Sequence, residues 1–308
     1  MATTALPSSF PAPVDDDAVR IEHHGVWKRF KRHKLALVSG VVLLAIGLIA
    51  ILSPWITPAD PNAIDQVHWN GYPLAPGVAG HILGTDENGR DLLARLMYGA
   101  RISLTVALAA VLMEIVIGTV LGAIAGYYGG WIDYAIMRMT DVFLSIPLLP
   151  LLLVLTAIVS ASSSKAALGF GVIVIIIGAL SWPPVARLVR ASFLSLREKE
   201  FAEAARALGN RDARIIFRHL LPNAVAPIIV QATLDVANVI ITESALSFLG
   251  LGIQPPTASW GNMLANAQAN MAIAPWVAIF PGLCILVTVL SINYLGDGMR
   301  DALDPKMK

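Results

Sequence analysis

Apolar and polar positions along this chain fall into long blocks rather than the short alternations of a soluble fold. A helix needs about 20 mostly apolar residues to cross about 30 Å of hydrocarbon, and six stretches approach or exceed that length. Leu35–Leu52 carries no charge and only Ser39 as a polar side chain. Ile102–Ala125 is interrupted by Glu114 and a few Thr and Ser. Ala135–Val159 opens with Arg138 and Asp141 and holds Pro147 and Pro150. Ala166–Trp182 is short and intensely apolar, Ala224–Phe248 is interrupted by Asp235 and Glu243, and Ile273–Leu295 has Pro281 in its middle. The pattern predicts an all-α integral membrane protein with six transmembrane helices.

Lysine and arginine set the orientation, because cytoplasmic loops collect them. Six precede the first span (Arg20 to Lys34), eight lie between the fourth and fifth (Arg187 to Arg218), three close the chain (Arg300, Lys306, Lys308) and Arg138 flanks the third. That is 18 of the 22, leaving only Arg90, Arg95, Arg101 and Lys165 for the other face. Both termini are therefore expected in the cytoplasm. The basic cluster ahead of an apolar run superficially resembles a signal peptide. The run is too long, and Ser53-Pro54-Trp55-Ile56 offers no small-x-small cleavage site, so an uncleaved signal anchor is the expectation. Five segments follow: a flexible cytoplasmic tail (1–25), the first helix with its basic flank (26–53), an extracytoplasmic segment (54–100), a core domain of five helices (101–300) with a cytoplasmic loop (190–223), and a short tail (301–308).

Composition agrees. The chain is 56% hydrophobic and 14% charged with a mean hydropathy of +0.69, against a charged fraction of about 25% in soluble domains. A single cysteine, Cys284, excludes an internal disulfide. His23-His24 lacks further ligands at metal-site spacing and reads as a solvated pair in the tail. There is no Gly-Lys pair, so no phosphate loop, and neither a zinc helix motif nor a nucleophile elbow. The chain is expected to be non-catalytic, to hold no metal or cofactor and to bind no nucleic acid.

The basic loop between the fourth and fifth spans is the most informative stretch. Ser192 to Ala207 holds good helix formers without glycine or proline, with an apolar stripe of Phe201, Ala204, Ala205 and Leu208. Gly209-Asn210 suits a left-handed cap. A second short helix is expected from Asp212 to Leu220, with Pro222 resetting the chain. Two readings fit: an amphipathic helix on anionic lipid of the inner leaflet, or a compact projection offered to a protein partner. Periodicity alone does not separate them.

Glu203, Ala204, Ala205, Gly209, Leu221 and Pro222, with His219 where many members carry isoleucine, resemble the EAA loop of ABC-importer permeases. His81-Ile-Leu-Gly-Thr-Asp-Glu-Asn-Gly-Arg-Asp91, Ala245 to Pro256 and Trp260-Gly-Asn-Met263 are similar to motifs of the C-type subunit in the dipeptide, oligopeptide and nickel branch. Together with Trp182-Pro-Pro184 and Arg187, the similarity covers roughly residues 25–300. It implies a type I permease bundle in a bacterial inner membrane, forming half of a translocation pathway. It further implies a heterodimer with a homologous B-type permease, two cytoplasmic ATPase domains that bind ATP and Mg, and an extracytoplasmic binding protein that delivers a small peptide. The ATPase-coupling residues would be Glu203, Ala204, Ala205, Arg206, Leu208, Gly209, His219, Leu221 and Pro222. Nickel or glutathione are alternative solutes for the same architecture. A secondary transporter and a scaffolding subunit, neither driven by this coupling, are the competing classes.

Charges inside spans tend to face a partner or water. Asp235 and Glu243 are candidates for the translocation path, where they would meet a peptide's ammonium group; interhelical hydrogen bonding is the alternative, and the expectation for Glu114. Outside the membrane, Gly84, Thr85, Asp86, Gly89, Arg90 and Asp91 are candidates for an outer gate or receptor contact. Gly84 to Gly89 reads as a tight turn with Asp86-Glu87 solvated, ahead of a short helix from Asp91 to Met97. Prolines 147, 150, 183, 184, 222, 227 and 281 would kink helices around a cavity.

Overall fold

A computed structural model describes residues 29–31, 33–57, 59–162 and 169–303. The expectations for the tail (1–25, with His23-His24), for 166–168 and for 304–308 lie outside these described residues. The helices in chain order are α1 (Lys34–Ile56), α2 (Leu92–Tyr128), α3 (Gly130–Ser145), α4 (Leu148–Ser162), α5 (Phe170–Ser181), α6 (Pro183–Leu196), α7 (Glu200–Ala207), α8 (Asp212–Arg214), α9 (Leu221–Phe248), α10 (Trp260–Ala267) and α11 (Trp276–Leu303). Among the described residues the only β pairing is two isolated bridges, Ile64 with Arg90 and Thr85 with Asp91.

α1, α2, α11 and the rod running from Asp212 to Phe248 are each long and apolar enough to cross a membrane. The third and fourth predicted spans do so only as bent pairs: α3 and α4 meet at 84°, α5 and α6 at 43°. The kink expected from the prolines inside Ala135–Val159 is a full break at Ile146-Pro147. Proline disfavours helical backbone in the residue before it, and Ile146 is accordingly extended. Pro183 and Pro184 instead open α6, where a missing N–H costs least.

Three further boundaries differ from expectation. α1 continues through Pro54 to Ile56. The short helix expected at Asp91–Met97 is the first part of α2, which at 37 residues spans about 55 Å and so projects well beyond the hydrocarbon. Pro222 does not reset the chain. A π-helical turn over Ile215–Leu220 carries α8 directly into α9, and this wider turn accommodates the donor that Pro222 lacks.

The bundle is organised around α2. Gly118, Gly122 and Gly126 form a stripe on which α6 lies so closely that an added Cβ would stand 2.6 Å from Val185 Cβ, 2.5 Å from the Ala186 carbonyl and 2.6 Å from Phe193 Cβ respectively. Small residues four apart are how membrane helices gain contact when the surrounding lipid is as apolar as they are. A second core surrounds Val106, Ala110, Ile173, Ile177 and Ile240, joining α2, α5 and α9. Outward-facing residues such as Val41, Leu44, Leu112 and Val154 remain exposed, as a lipid-facing or partner-facing surface requires.

Glu243 anchors the outer end. Fully buried, it accepts from Ser247 Oγ at 2.7 Å and from Ser103 Oγ at 3.4 Å. Ser103 Oγ in turn accepts from the Trp260 backbone N–H, whose indole Nε1 donates to the Leu96 carbonyl. A capping box between Ser259 and Asn262 starts α10, and Asn262 Nδ2 reaches the Ile253 and Thr257 carbonyls. The Ala245–Met263 motifs therefore build one folded hairpin against α2.

Candidate coupling, translocation and outer sites

The basic loop folds as a knuckle of short helices, and the helix expected over Ser192–Ala207 is interrupted within it. α6 stops at Leu196, Arg197 to Lys199 turn, and α7 restarts at Glu200. The buried face of α7 is Ala202 and Ala205, packed with Ile215, Ile216 and Leu220 against Val189 and Phe193. Of the expected stripe only Ala205 points inward. Ala204 is exposed, Phe201 is 39% exposed and Leu208 is 82% exposed. Two methyl-sized contacts suffice to seat the helix because Arg197 and Arg206 tie down its ends. Arg197 Nη1 donates to the Gly126 and Tyr127 carbonyls, and Arg206 to the Arg197 carbonyl.

α7 ends in a Schellman cap. The Asn210 N–H reaches the Ala205 carbonyl at 3.2 Å and the Gly209 N–H reaches that of Arg206 at 2.9 Å. This geometry needs positive φ at Gly209, observed at 73°. Nothing lies within 4 Å of where a Gly209 side chain would point. Tyr127 Oη donates to Asp212 at 2.7 Å, fixing the start of α8 to the end of α2. Glu203, Ala204, Arg206, Leu208 and Gly209 thus form one exposed surface. His219 and Leu221 are half-buried along the π turn and its exit, with Pro222 exposed beside them.

A second site lies between the bent helices. A cavity of about 380 Å³ is bordered by the last turns of α3 and α5, the prolines at 147, 183 and 184, and Glu114, Asp235, Asn238 and Thr242. Glu114 and Asp235 interact directly across α2 and α9. Gln231 Nε2 holds both Asp235 oxygens, at 2.9 and 3.0 Å, whereas Glu114 Oε2 has no partner. Of the two acids expected at the path, Asp235 borders this cavity and Glu243 does not. Hydroxyl donors from α2 and α9 satisfy Glu243 instead. Glu114, expected to be an interhelical group, stands at the cavity wall.

The outer motif is buried rather than solvent-facing. Gly84 takes φ 80°, with the Leu74 carbonyl 2.3 Å from where a Cβ would sit. Thr85 Oγ1 accepts from the Leu74 N–H at 2.8 Å. Asp86, expected to be solvated, is 3% exposed. It accepts from Arg90 Nε at 2.7 Å and from the Asn88 and Arg90 backbone N–H groups, and lies 3.1 Å from Arg95 Nε. The two guanidiniums compensate the buried carboxylate, which is the condition for burying a charge. Burial and the neighbouring Asp86 carboxylate push Glu87 above its usual range. Gly89, at φ 77°, lies against the Trp69 ring. Asp91 caps α2 through the Ala94 N–H and holds His81 Nδ1 at 2.7 Å, while His81 Nε2 lies 3.3 Å from Asp65. Among the described residues no His, Cys, Asp and Glu group is arranged to hold a metal ion.

The bundle thus carries a knuckle of short helices at one end and a cavity bordered by Glu114 and Asp235 between its bent helices. Residues 118–308 match the family described as "Binding-protein-dependent transport system inner membrane component", and residues 24–76 match "N-terminal TM domain of oligopeptide transport permease C". The chain belongs to this family. The permease is 43% identical to the glutathione transport system permease protein GsiD of Escherichia coli O6:K15:H31, over 96% of this chain and 94% of that protein. It is 42% identical to the dipeptide transport system permease protein DppC of Alkalihalophilus pseudofirmus, over 99% of this chain and 96% of that one. Its fold resembles that in the inward-facing structure of the MetNI methionine ABC transporter. The TM-score is 0.54 and the identity 20%, covering 69% of this chain and 98% of the other. The α2–α6 glycine stripe escaped the reading of spans, although its Gly-x3-Gly-x3-Gly spacing was visible.

Proposed function

We propose that the permease is one half of the pathway in an ATP-driven importer of peptide-class solutes, paired with a homologous second permease. Two cytoplasmic ATPase domains drive it and an extracytoplasmic binding protein feeds it. Full-length similarity to permeases named for dipeptide and glutathione transport carries this reading. The chain acts as a lever without catalysis of its own. Closure of the ATPase dimer pulls the Glu203–Gly209 surface, and the motion passes through Arg197 and Asp212 into the cytoplasmic end of α2. Exposed Leu208 and Phe201 supply the apolar contact, and the Schellman cap at Gly209 lets a partner approach the backbone. The outer motif, being buried, serves as the rigid frame of the outer mouth.

Gly209→Asp tests this. The site has room for a side chain and aspartate tolerates positive φ, so the knuckle folds while its docking face gains a charge. ATPase activity in the assembled importer is expected to lose its stimulation by solute-loaded binding protein, with uptake falling at least about tenfold, as when ~1.4 kcal/mol of coupling is lost. Unchanged stimulation and uptake would refute the coupling role.

A further inference from the structure

We propose that the Glu114–Asp235 cavity is a recognition subsite for a primary ammonium group on the transported solute. The inference rests on the peptide-class reading and adds to it the chemistry of the path. Glu114 is 2% exposed, borders the cavity and keeps Oε2 without a partner. A buried carboxylate oxygen left open is costly, and here it stands beside a second carboxylate, with no Lys or Arg among the cavity-lining residues. Two acids at such a site require a cation or a shared proton between them. Gln231 fixes Asp235 from the cytoplasmic side, so its carboxylate is aimed before any ligand arrives.

The helix ends around the cavity favour the same sign. The last turns of α3 and α5 border it, presenting the negative ends of two helix dipoles. The starts of α4 and α6 would offer N–H donors to an anion, but Pro147, Pro150, Pro183 and Pro184 remove several of them. An ammonium brings three donors and a full charge, matching two carboxylates and carbonyl-rich helix ends. Both acids sit near the middle of their helices, where sites in transporters built of discontinuous helices gather. The volume of about 380 Å³ falls within the range of about 300–1,000 Å³ for small-molecule sites.

The test uses the assembled importer in nanodiscs, without binding protein, and follows its melting temperature. Dialanine and methylammonium chloride are expected to raise it, while N-acetyl-dialanine and sodium chloride at equal ionic strength leave it unchanged. An equal shift with the acetylated peptide or with sodium overturns the assignment. This wild-type comparison stands even if variants assemble poorly. Glu114→Gln and Asp235→Asn should each abolish the dialanine shift; its survival in both overturns the proposal. In uptake with saturating binding protein, either variant should transport dialanine at least about tenfold more slowly, the loss of a charge-assisted hydrogen bond, while stimulated ATPase activity persists. Uptake within twofold of wild type, or loss of ATPase stimulation along with uptake, sinks the subsite. Absence of dialanine uptake by the wild-type importer sinks the peptide reading instead.

Discussion

At the scale of single residues, the outer segment is held by ionisable groups whose partners set a pH window. Burial opposes a charge on His81, but hydrogen bonds from its ring to Asp91 and Asp65 outweigh this and raise its pKa above the ordinary value. Asp65 lies well below its own, chiefly through His68, with burial opposing and His81 assisting. A raised histidine stabilises most below its unfolded value of about 6.5, and the contribution disappears as pH climbs through the folded value. A depressed aspartate stabilises above about 4 and loses this as pH falls through its folded value. Both contributions coexist between about 4 and 6.5. Deuterium uptake across residues 65–91 is therefore expected to be slowest near pH 6 after correction for intrinsic exchange, and to rise toward pH 8. His81→Gln should remove that rise. A pH-independent protection in wild type would show that the His81 contacts carry no linkage. From sequence, Gly84 to Gly89 was legible as a tight turn. That it folds inward was not, because the arginines that neutralise Asp86 sit four and nine positions away, at the end of the turn and on α2.

At the scale of elements, hydrophobic runs picked out the four long apolar helices and, among the described residues, the two bent pairs, since length and apolarity are what the bilayer demands. Where the spans break depended on single peptide groups. Ile146-Pro147 bends its pair by 84° while Pro54 and Pro281 stay within helices. The turn that ends α7 was legible through Gly209, and the stripe was misread: α7 buries Ala202 and Ala205 against Ile215, Ile216 and Leu220, while Phe201, Ala204 and Leu208 face outward. Helix contact gives the sharpest prediction. Gly122→Val would push a side chain into the Ala186 carbonyl and Val189, and overpacking of this kind costs about 1–3 kcal/mol. The assembled importer should melt several degrees lower, or its yield should fall. Gly47→Ala in α1, where nothing lies within 4 Å, should melt no lower, alanine being the better helix former by about 1 kcal/mol. Equal melting of Gly122→Val and wild type would refute close α2–α6 packing as a determinant of assembly.

At the scale of the whole molecule, α2 and the Asp212–Phe248 rod link the cavity to the knuckle. α2 starts in the ionic Asp65–Asp91 segment, carries Glu114 past the cavity near its middle, and in its last turn bears Tyr127, which holds the first turn of the Asp212–Phe248 rod. The same rod carries Asp235, so under the proposed function a pull on the knuckle would act on the elements that carry both acids. The bias of basic residues implies a cytoplasmic knuckle and an external Asp65–Asp91 segment, and the proposed route requires that orientation. Two highly exposed positions report the two faces: Val67 at 84% and Leu208 at 82%. With Cys284 replaced by serine, Val67→Cys should react with a membrane-impermeant maleimide in intact spheroplasts. Leu208→Cys should react only after permeabilisation, and more slowly once the ATPases are bound. Labelling of Leu208→Cys from outside would invert the topology, and with it the route by which nucleotide-driven motion reaches Glu114 and Asp235.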